Sequence, residues 1–358
     1  MSAEIVPLNS RKAQPTLQPI LSLTAPGMNA VNSVILDRMQ SEIPLIPALA
    51  GHLISGGGKR LRPMLTVAGA ALCDYEGNRH HKLAAAVEFI HTATLLHDDV
   101  VDGSETRRGK EAANIVFGNP ATVLVGDFLF SRAFELMVED GSLRVLKILS
   151  RASAIIAEGE VDQLVAQRKI ETSEERYLSI IGSKTAALFA AATRIAAVVA
   201  ERSEMDEEAL DGFGRNLGIA FQLVDDAIDY DSDAGESGKD RGDDFREGKM
   251  TLPVILAYAR GNAEERQFWQ DAIAGFRTED EDLAHAVHLI NKHTVAATRE
   301  RARMFAQRAI DSIACFPAGE ARSAMADGAC RIMNQLLLGC AALLIDCRMA
   351  VGSRPTLS

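Results

Sequence analysis

The amino-acid sequence predicts an all-α protein, a single-domain bundle of about ten or more helices around a central cavity. Apolar residues recur at spacings of three and four, which is the period of a helix with one buried face. Aromatic residues make up only 5% of the chain, and no Val/Ile/Thr runs bounded by turn residues supply strands. Apolar residues also continue evenly from about position 28 to 345 without a Pro/Gly/Ser-rich linker, which favours one large domain.

The elements are predicted in chain order. Residues 1–27 contain four prolines and little periodicity, so we expect a loose N-terminal arm. Residues 28–318 are predicted to form the helical domain, and residues 319–358 an atypical C-terminal tail of it. Helical segments are expected at about 28–50, 62–74, 80–100, 120–138, 142–166, 174–200, 206–230, 251–260, 264–277, 280–292 and 294–312. The third, sixth and seventh of these are apolar around most of their circumference, so we expect them at the centre.

Composition and charge narrow the classes of function. The balance of 38 basic against 49 acidic residues argues against a nucleic-acid binder, which would normally be basic. The five cysteines form no C-x-x-C pair, so reduced thiols in a cytoplasmic protein are expected. No apolar segment follows Arg11 and Lys12 as it would in a signal peptide. The late apolar stretch 332–345 is shorter than the ~20 residues that a membrane span needs, so no span is predicted.

The strongest functional signal is a pair of acidic segments far apart in the chain. Each reads D-D-x-x-D at the end of an apolar helical run. Positions i and i+4 are neighbours on one helix face, so Asp98 and Asp102 converge, as do Asp225 and Asp229. Such carboxylates are costly to desolvate without a cation, and hard oxygen ligands suit Mg²⁺. A solvated acidic helix end would explain one such segment, but two copies after apolar runs favour a metal site.

Basic residues near these segments could bind an anion. The segment G-G-G-K-R-L-R-P at 56–63 offers a flexible backbone, cations and a helix N-terminus, all suited to phosphate. It is not a nucleotide-binding P-loop, because Leu53 stands where the first glycine would and Arg60 follows the lysine. Lys184 interrupts an apolar run and needs an anion there, whereas the others taken singly could be surface charges. The candidates are Lys59, Arg62, Arg107, Arg108, Lys184, Lys239 and Lys249.

Taken together, these segments resemble the all-trans polyprenyl diphosphate synthases, above all the long-chain members that make the octaprenyl or decaprenyl tail of ubiquinone. The resemblance covers about residues 28–315 and implies the isoprenoid-synthase type of all-α fold. It also implies a homodimer, for which the helices at 120–138 and 142–166 are candidate contacts. The region after about residue 318 does not match the family's usual ending. The matching segments are G-G-G-K-R-L-R-P (56–63), E-F-I-H-T-A-T-L-L-H-D-D-V-V-D (88–102), R-R-G-K (107–110), V-G-D-F-L-F-S-R-A-F (125–134), A-E-G-E-V (157–161), S-K-T-A-A-L-F (183–189), F-Q-L-V-D-D-A-I-D-Y (221–230) and G-K-D-R-G-D-D-F-R-E-G-K (238–249).

The resemblance implies a role for each candidate residue. The diphosphate of isopentenyl diphosphate would be held by Lys59, Arg62, His91 and Arg108. The allylic diphosphate, with a cluster of Mg²⁺ ions, would be held by Arg107, Lys184, Lys239 and Lys249. The direct metal ligands would be Asp98, Asp102 and Asp225, with Asp229 beside them. The reacting centre would be lined by Lys184, Thr185 and Gln222.

The implied chemistry is a condensation of two diphosphates. Mg²⁺ and the basic residues would neutralise charge on the departing diphosphate, leaving an allylic carbocation-like centre in an apolar cavity. The double bond of isopentenyl diphosphate would attack this centre, and a proton would then be lost to the released diphosphate. No His or Glu stands out as a general base, so the enzyme is expected to contribute positioning and electrostatics.

Product length is predicted from the helix that carries the first acidic segment. The growing chain is expected to thread toward that helix's N-terminal end, where Ala93 and Thr94 lie about one turn, ~5.4 Å, before Asp98. Short-chain relatives block this depth with an aromatic residue, whereas these small side chains leave the passage open. Met137 and Leu149 are predicted to form a deeper floor, with core packing as the alternative for both. Products of about eight to ten isoprene units (about C40–C50) are therefore expected.

Three alternatives remain at the level of the sequence. A class I terpene cyclase also uses D-D-x-x-D and Mg²⁺, but it needs no isopentenyl diphosphate site and carries a different second motif. A non-catalytic regulatory subunit of a synthase typically lacks one acidic segment or the glycine-rich segment, and this chain keeps them all. A shorter-chain synthase would make products of about C15–C20. An assay with both diphosphates and Mg²⁺, with product length measured by mass spectrometry, separates these alternatives.

Overall fold

Helices account for nearly all regular structure in the computed structural model, which describes residues 17–55, 60–107, 110–230 and 242–338. A π-helical segment, the π turn (Gly182–Ala186), joins two helices without a break, and a second one covers Gln270–Ala274. Two strands of two residues each, β1 (Thr106–Arg107) and β2 (Lys110–Glu111), pair antiparallel. The all-α prediction is confirmed. The helices are α1 (Gln18–Arg38), α2 (Leu45–Ser55), α3 (Leu61–Leu72), α4 (Arg79–Val101), α5 (Ala113–Phe117), α6 (Asn119–Asp140), α7 (Leu143–Ala166), α8 (Glu174–Ile181), α9 (Ala187–Val199), α10 (Glu204–Ile228), α11 (Asp243–Glu247), α12 (Leu252–Arg260), α13 (Ala263–Trp269), α14 (Asp280–His293), α15 (Val295–Ser312) and α16 (Glu320–Leu338).

Three helices begin where a serine side chain accepts a hydrogen bond from a backbone N–H group of the first turn. Ser142, Ser173 and Ser203 cap α7, α8 and α10 by accepting a hydrogen bond from the N–H three residues further on. The first turn of α10 is also acidic, which suits the positive end of the helix dipole. These local signals explain why the predicted starts at 142, 174 and 206 lie within two residues of the observed ones.

The predicted N-terminal arm is wrong for residues 18–27, which already belong to α1. Pro19 lies in the first turn of the helix, where its missing N–H costs nothing. Pro26 lies inside the helix, where a proline costs ~3 kcal/mol, but α1 packs against α3, α4 and α16 and buries one face. A Cβ on Gly27 would lie 2.6 Å from Val67, so this glycine allows α1 to approach α3 closely. Tertiary packing therefore outweighs the prolines.

Two further boundaries differ from the sequence pattern. The segment predicted as one helix at 28–50 is two helices, because Pro44 disfavours helical backbone in the residue before it and α1 ends at Arg38.

In the predicted tail, α16 packs against α1, α10 and α15 and buries Met325 and Cys330. The first part of the tail is therefore an ordinary core-forming helix. Residues 339–358, with Cys340 and Cys347, lie outside the described residues.

The centre of the bundle is α9, which packs against α3, α4, α7 and α10. Eleven of its thirteen residues are buried, and most of these are alanines, which let four neighbours approach one helix. Helix α6 covers α4 on one side, and α15 and α16 cover α10 on the other. The helices that carry the two acidic segments, α4 and α10, therefore flank α9. This is the central placement that their apolar circumference predicted.

One run in the described residues is long and apolar enough to cross a membrane by length and composition alone. It spans Glu174–Val199, which is α8, the π turn and α9 together. Its most apolar window is 78% buried inside the fold. The apolar character of this run is therefore explained by its position at the centre of the bundle.

Candidate active site

The π turn places Lys184 and Thr185 between the two acidic helix ends. A π-helical turn holds an extra residue compared with an α-helical turn, and such turns occur often at functional sites. Two glycines allow the neighbouring helices to approach this wider turn. A Cβ on Gly159 of α7 would lie 2.8 Å from the backbone nitrogen of Lys184, and one on Gly218 of α10 would lie 2.7 Å from the Ala186 Cα. The turn is therefore held from both sides by backbone contact.

Lys184 joins the first acidic segment to α7. Its Nζ lies 3.9 Å from Asp98 Oδ2 and 2.7 Å from Glu160 Oε2. The sequence predicted that this lysine needs an anion, and the structure supplies two carboxylates. Glu160 was inside a matching segment but had been given no role. It was missed because a single glutamate on a helix face carries no signal of its own.

The carboxylates around Lys184 are crowded and half-buried. Burial raises the pKa of Asp98, and Asp102 raises it further, while Lys184 opposes both effects. Burial also raises the pKa of Glu160 to about 7, with Asp98 adding to the effect and Lys184 working against it. For both carboxylates, burial outweighs the stabilisation that Lys184 provides. A bound cation would relieve that imbalance.

Lys249 is the second cation of the site. Its Nζ lies 3.2 Å from Asp102 Oδ2, and it also forms an ion pair with Glu247. Burial alone would lower the pKa of Lys249, but Asp244, Glu247 and Asp102 together raise it. Lys249 follows α11, the short helix after the second acidic segment, so its pair with Asp102 links the two acidic segments.

The second acidic segment ends α10 and is more deeply placed than the first. Asp225 is half-buried, whereas Asp226 and Asp229 are 3% and 9% exposed. Asp229 Oδ2 accepts a hydrogen bond from the backbone N–H of Asp244 at 3.3 Å, which ties the helix end to α11. The predicted convergence of Asp225 and Asp229 is consistent with their places on the last turn of the helix.

A chain of hydrogen bonds leads from the π turn to the second acidic segment. The Thr185 hydroxyl donates to Gln222 Oε1 at 2.8 Å, and Gln222 Nε2 donates to Asp226 Oδ1 at 2.7 Å. The Tyr177 hydroxyl donates to the other oxygen of Asp226 at 2.5 Å. Burial raises the pKa of Asp226, while these two donors oppose the rise. Thr185 and Gln222, which the resemblance predicts to line the reacting centre, are in direct contact.

The second aspartate of the first segment also faces a protein donor. Asp99 is 1% exposed, and its Oδ1 lies 2.5 Å from Arg107 Nε. Arg107 was predicted to bind the allylic diphosphate, and in the structure it also forms this ion pair. In both segments the middle aspartate, Asp99 or Asp226, anchors a neighbouring side chain. The sequence pattern does not distinguish it from the aspartates on either side.

A cavity of about 80 Å³ opens beside α4, and its polar wall contains His91 and Arg107. Arg60, Lys110 and Asp99 also line it, while residues of α1, α2 and α6 form an apolar wall. Two predicted substrate residues are therefore brought to one cavity. Arg60 had been part of the glycine-rich segment without a role, and its position on this wall makes it a further candidate for anion binding.

The remaining predicted anion-binding residues fall into two groups. The guanidinium of Arg62 lies over the Phe189 ring, 4.4 Å from its centre, on the side of α3 that faces α9. Lys59, Arg108 and Lys239 lie outside the described residues, together with residues 56–58 and the rest of the segment 231–241. Their roles stay predictions.

The residues predicted to control product length lie on α4, α6 and α7. Ala93, Met137 and Leu149 belong to one apolar core cluster and are at most 1% exposed. Thr94 is half-buried, and its hydroxyl donates to the His91 carbonyl at 2.8 Å. The three apolar residues therefore share one buried cluster. Their role as walls or floor of a tunnel stays a prediction.

The donor set fits Mg²⁺ shared with a diphosphate. Asp98 and Asp102 converge at the end of α4, and in the described residues they form ion pairs with Lys184 and Lys249, which could equally bind phosphate oxygens. Within the described ranges, no three His, Cys, Asp or Glu side chains are grouped so as to hold an ion by themselves. Mg²⁺ commonly takes one or two carboxylates and completes its coordination with water and substrate phosphates.

An all-α bundle with two D-D-x-x-D helix ends facing each other defines an isoprenoid-synthase-type protein. Residues 43–290 match the polyprenyl synthetase family, and the chain belongs to that family. The octaprenyl diphosphate synthase of Escherichia coli (strain K12) is 46% identical over 303 residues, which are 84% of this chain and 93% of that one.

Two crystal structures of similar proteins show the same fold. A polyprenyl synthase from Caulobacter crescentus CB15, complexed with calcium and isoprenyl diphosphate, is 49% identical with a TM-score of 0.87. A decaprenyl diphosphate synthase from Rhodobacter capsulatus is 48% identical with a TM-score of 0.86. Each alignment covers 90% of this chain and 99% of the other.

Proposed function

We propose that this protein is a long-chain trans-prenyl diphosphate synthase, which adds isopentenyl diphosphate units to an allylic diphosphate. The observation that carries the proposal is the pair of acidic helix ends linked through Lys184, Thr185 and Gln222. Membership of the polyprenyl synthetase family makes the protein a prenyltransferase. The octaprenyl and decaprenyl synthases among its relatives support a product of about C40–C50. Such a product would suit the side chain of ubiquinone.

The two diphosphates are assigned to different parts of the site. Lys184 and Lys249 hold the allylic diphosphate beside Asp98 and Asp102, where they already bind carboxylates. The isopentenyl diphosphate is bound from the cavity side of α4, where His91 lies. The residues assigned to isopentenyl diphosphate are His91 and Arg62, together with Lys59 and Arg108. Those assigned to the allylic diphosphate, besides the two lysines, are Arg107 and Lys239.

The chemistry follows from charge and position. Mg²⁺ bound by Asp98, Asp102 and Asp225, with Asp229 beside them, would neutralise the charge that builds on the departing diphosphate. Lys184 and Lys249 add positive charge at the same place. As the allylic carbon–oxygen bond breaks, the double bond of isopentenyl diphosphate forms the new carbon–carbon bond. A proton is then lost to the released diphosphate, which leaves a product that is again allylic.

We further propose a cytoplasmic homodimer formed through α6 and α7. The outer face of α6 exposes Leu124 by 66% and Val138 by 65%, and α7 exposes Val161 by 61% and Leu164 by 50%. Large apolar side chains grouped on neighbouring helices are typical of an interface between subunits. The family habit of forming dimers, which the sequence resemblance implies, agrees with this surface.

The proposal is tested by turnover of the purified protein with both diphosphates and Mg²⁺. We expect polyprenyl diphosphate, released inorganic diphosphate and complete loss of activity when Mg²⁺ is chelated. Asp98→Ala and Asp225→Ala should each lower turnover more than about a hundredfold, because each removes a metal ligand. Asp37→Ala is the matched control, since Asp37 is an exposed acid on α1.

Circular dichroism would confirm that the Asp98 and Asp225 variants remain folded. Activity within about tenfold of wild type in either folded variant, at saturating Mg²⁺, would contradict a metal site built from both segments. No turnover by wild type with any allylic primer would contradict the proposed function itself.

A further inference from the structure

Asp226 belongs to the second acidic segment, yet both of its carboxylate oxygens are bound by protein donors. The Tyr177 hydroxyl is 2.5 Å from one oxygen, and the Gln222 side-chain nitrogen is 2.7 Å from the other. Asp226 and Tyr177 are each only 3% exposed. A metal ion at Asp226 would have to compete with these two donors inside a buried site. The residue is therefore better placed to orient its neighbours than to bind metal.

The contact with Asp226 decides which way the Gln222 amide points. In the structure the Gln222 side-chain nitrogen faces Asp226, so the amide NH₂ group donates to that carboxylate. The Gln222 carbonyl oxygen then faces Thr185, and it accepts the Thr185 hydroxyl hydrogen at 2.8 Å. Because that hydrogen is used, the Thr185 oxygen can present only lone pairs to any further neighbour.

Tyr177 completes this arrangement from the opposite side of the carboxylate. Its hydrogen bond holds the Asp226 carboxylate in place, and the carboxylate in turn holds Gln222 in its orientation. Tyr177 lies on α8, immediately before the π turn that carries Thr185. The chain Tyr177–Asp226–Gln222–Thr185 therefore runs from α8 through α10 and back to the π turn.

We propose that Tyr177 and Asp226 are positioning residues that fix the hydrogen-bond direction of Gln222 and Thr185. With this direction, the Thr185 oxygen offers electron density to the positive charge that develops on the allylic carbon. The inference rests on the proposed prenyl-transfer function, in which Thr185 and Gln222 line the reacting centre. It separates Asp226 from the metal ligands although all belong to one motif.

The test is a double-mutant cycle on kcat between Tyr177→Phe and Thr185→Val. If Tyr177 acts through the Thr185 hydroxyl, removing that hydroxyl first must abolish the effect of the tyrosine. We expect Tyr177→Phe to lower kcat about tenfold in the wild-type background and less than about twofold in the Thr185→Val background. The KM values for both diphosphates and the Mg²⁺ concentration for half-maximal rate should change less than about twofold.

Tyr258→Phe is the matched control, because it also removes one tyrosine hydroxyl. Tyr258 lies on α12, and its hydroxyl accepts a hydrogen bond from Gln270. This variant should leave kcat unchanged. If Tyr177→Phe does not fold, Asp226→Asn provides a second cycle with Thr185→Val. The asparagine NH₂ group can donate to the Gln222 carbonyl oxygen and so reverse the orientation of the Gln222 amide. The loss of kcat in Asp226→Asn should likewise disappear in the Thr185→Val background.

Two results would overturn the inference. Losses that simply add in the double variants would show that Tyr177 or Asp226 acts independently of Thr185. A marked rise in the Mg²⁺ requirement of Asp226→Asn would show that this residue binds metal. Both results require an active wild type, so they are distinguishable from failure of the proposed function, in which wild type itself shows no turnover.

Discussion

At the scale of single residues, the site is held together by its own charges. Lys184 binds Glu160 and approaches Asp98, and Lys249 binds Asp102. In the absence of substrate, these pairs compensate charges that would otherwise be costly to bury. Anionic diphosphate with Mg²⁺ can replace them without changing the net charge greatly. The lysines are therefore already placed where phosphate oxygens would bind.

The assignment of residues to one diphosphate or the other is tested by binding measurements on single variants. Lys184→Ala should weaken allylic diphosphate binding about ten- to a hundredfold and change isopentenyl diphosphate binding little, because it removes a charge-assisted hydrogen bond. Arg62→Ala and His91→Ala should do the reverse. Isothermal titration with each diphosphate separately, in the presence of Mg²⁺, measures both affinities.

Lys82→Ala is the control for these variants, since Lys82 lies at the far end of α4 and pairs with Glu139 at 3.2 Å. It should change neither affinity. Equal losses for both diphosphates in all three site variants would show that the assignment of residues to two subsites is wrong.

At the scale of elements, α4 carries both the proposed metal ligands and a residue predicted to control product length. Its C-terminal end carries Asp98 and Asp102, and about one turn before them Ala93 leaves a small side chain against the core. Helix α6 packs along α4 and places Met137 in the same apolar cluster. The distance from the acidic end to the first large side chain along this face would set the length of the product.

Ala93→Tyr should shorten the product to about three or four isoprene units and spare the first condensation. The aromatic ring would occupy the space about one turn below the metal ligands, where only longer chains need to pass. Mass spectrometry of the extracted products measures the change. Ala93→Ser is the matched control, because serine is also small and should keep the wild-type length.

Two outcomes would refute this account of the tunnel. One is a full-length product from Ala93→Tyr, and the other is a wild-type enzyme that stops at about three or four units. A loss of stability alone, with unchanged product length, would mean that Ala93 only packs the core, where overpacking typically costs 1–3 kcal/mol.

At the scale of the whole molecule, the exposed apolar face of α6 and α7 is the main surface without an internal explanation. Leu124→Glu combined with Val138→Glu should convert the proposed dimer into monomers, because two charges would have to be buried at the contact. Light scattering coupled to gel filtration measures the mass. Leu36→Glu, at a 53% exposed position on α1, is the control and should leave the dimer intact. A wild type that runs as a monomer at all concentrations would contradict the proposed dimer.

The stability of the whole fold should also depend on pH through a histidine remote from the site. His80 is 7% exposed and packs against Tyr75 and His81. Burial, assisted by His81, lowers its pKa to about 4. Between about pH 6.5 and 4 the unfolded chain binds a proton at His80 and the folded protein does not, so this residue destabilises the fold as pH falls. The cost reaches about 2 kcal/mol near pH 5.

His80→Phe should remove this cost. The free energy of unfolding of the variant, relative to wild type, should rise by about 2 kcal/mol between about pH 7.5 and 5. The comparison between variants is needed because Glu160, with its raised pKa of about 7, stabilises the fold in the opposite direction as pH falls. Denaturant unfolding at each pH measures the difference. Parallel curves for the two proteins would show that folding does not lower the pKa of His80.

The sequence by itself determined the helical class, most helix boundaries and the identity of the metal and diphosphate candidates. These follow from local properties: the spacing of apolar residues, a capping serine such as Ser203, or a carboxylate repeated at i and i+4. It also determined the family resemblance, because the matching segments keep both their residues and their order.

Only the tertiary structure decided how these residues are paired. Local patterns could not show that Pro26 lies inside a helix, that Lys184 binds Glu160, or that Asp226 faces Tyr177. In each case the deciding contact joins segments that are distant in the chain. Its free energy depends on burial and on which donor or acceptor the packing of helices brings within hydrogen-bond distance. A helix period shows which side of a segment is buried, but packing alone selects the partner that lies against it.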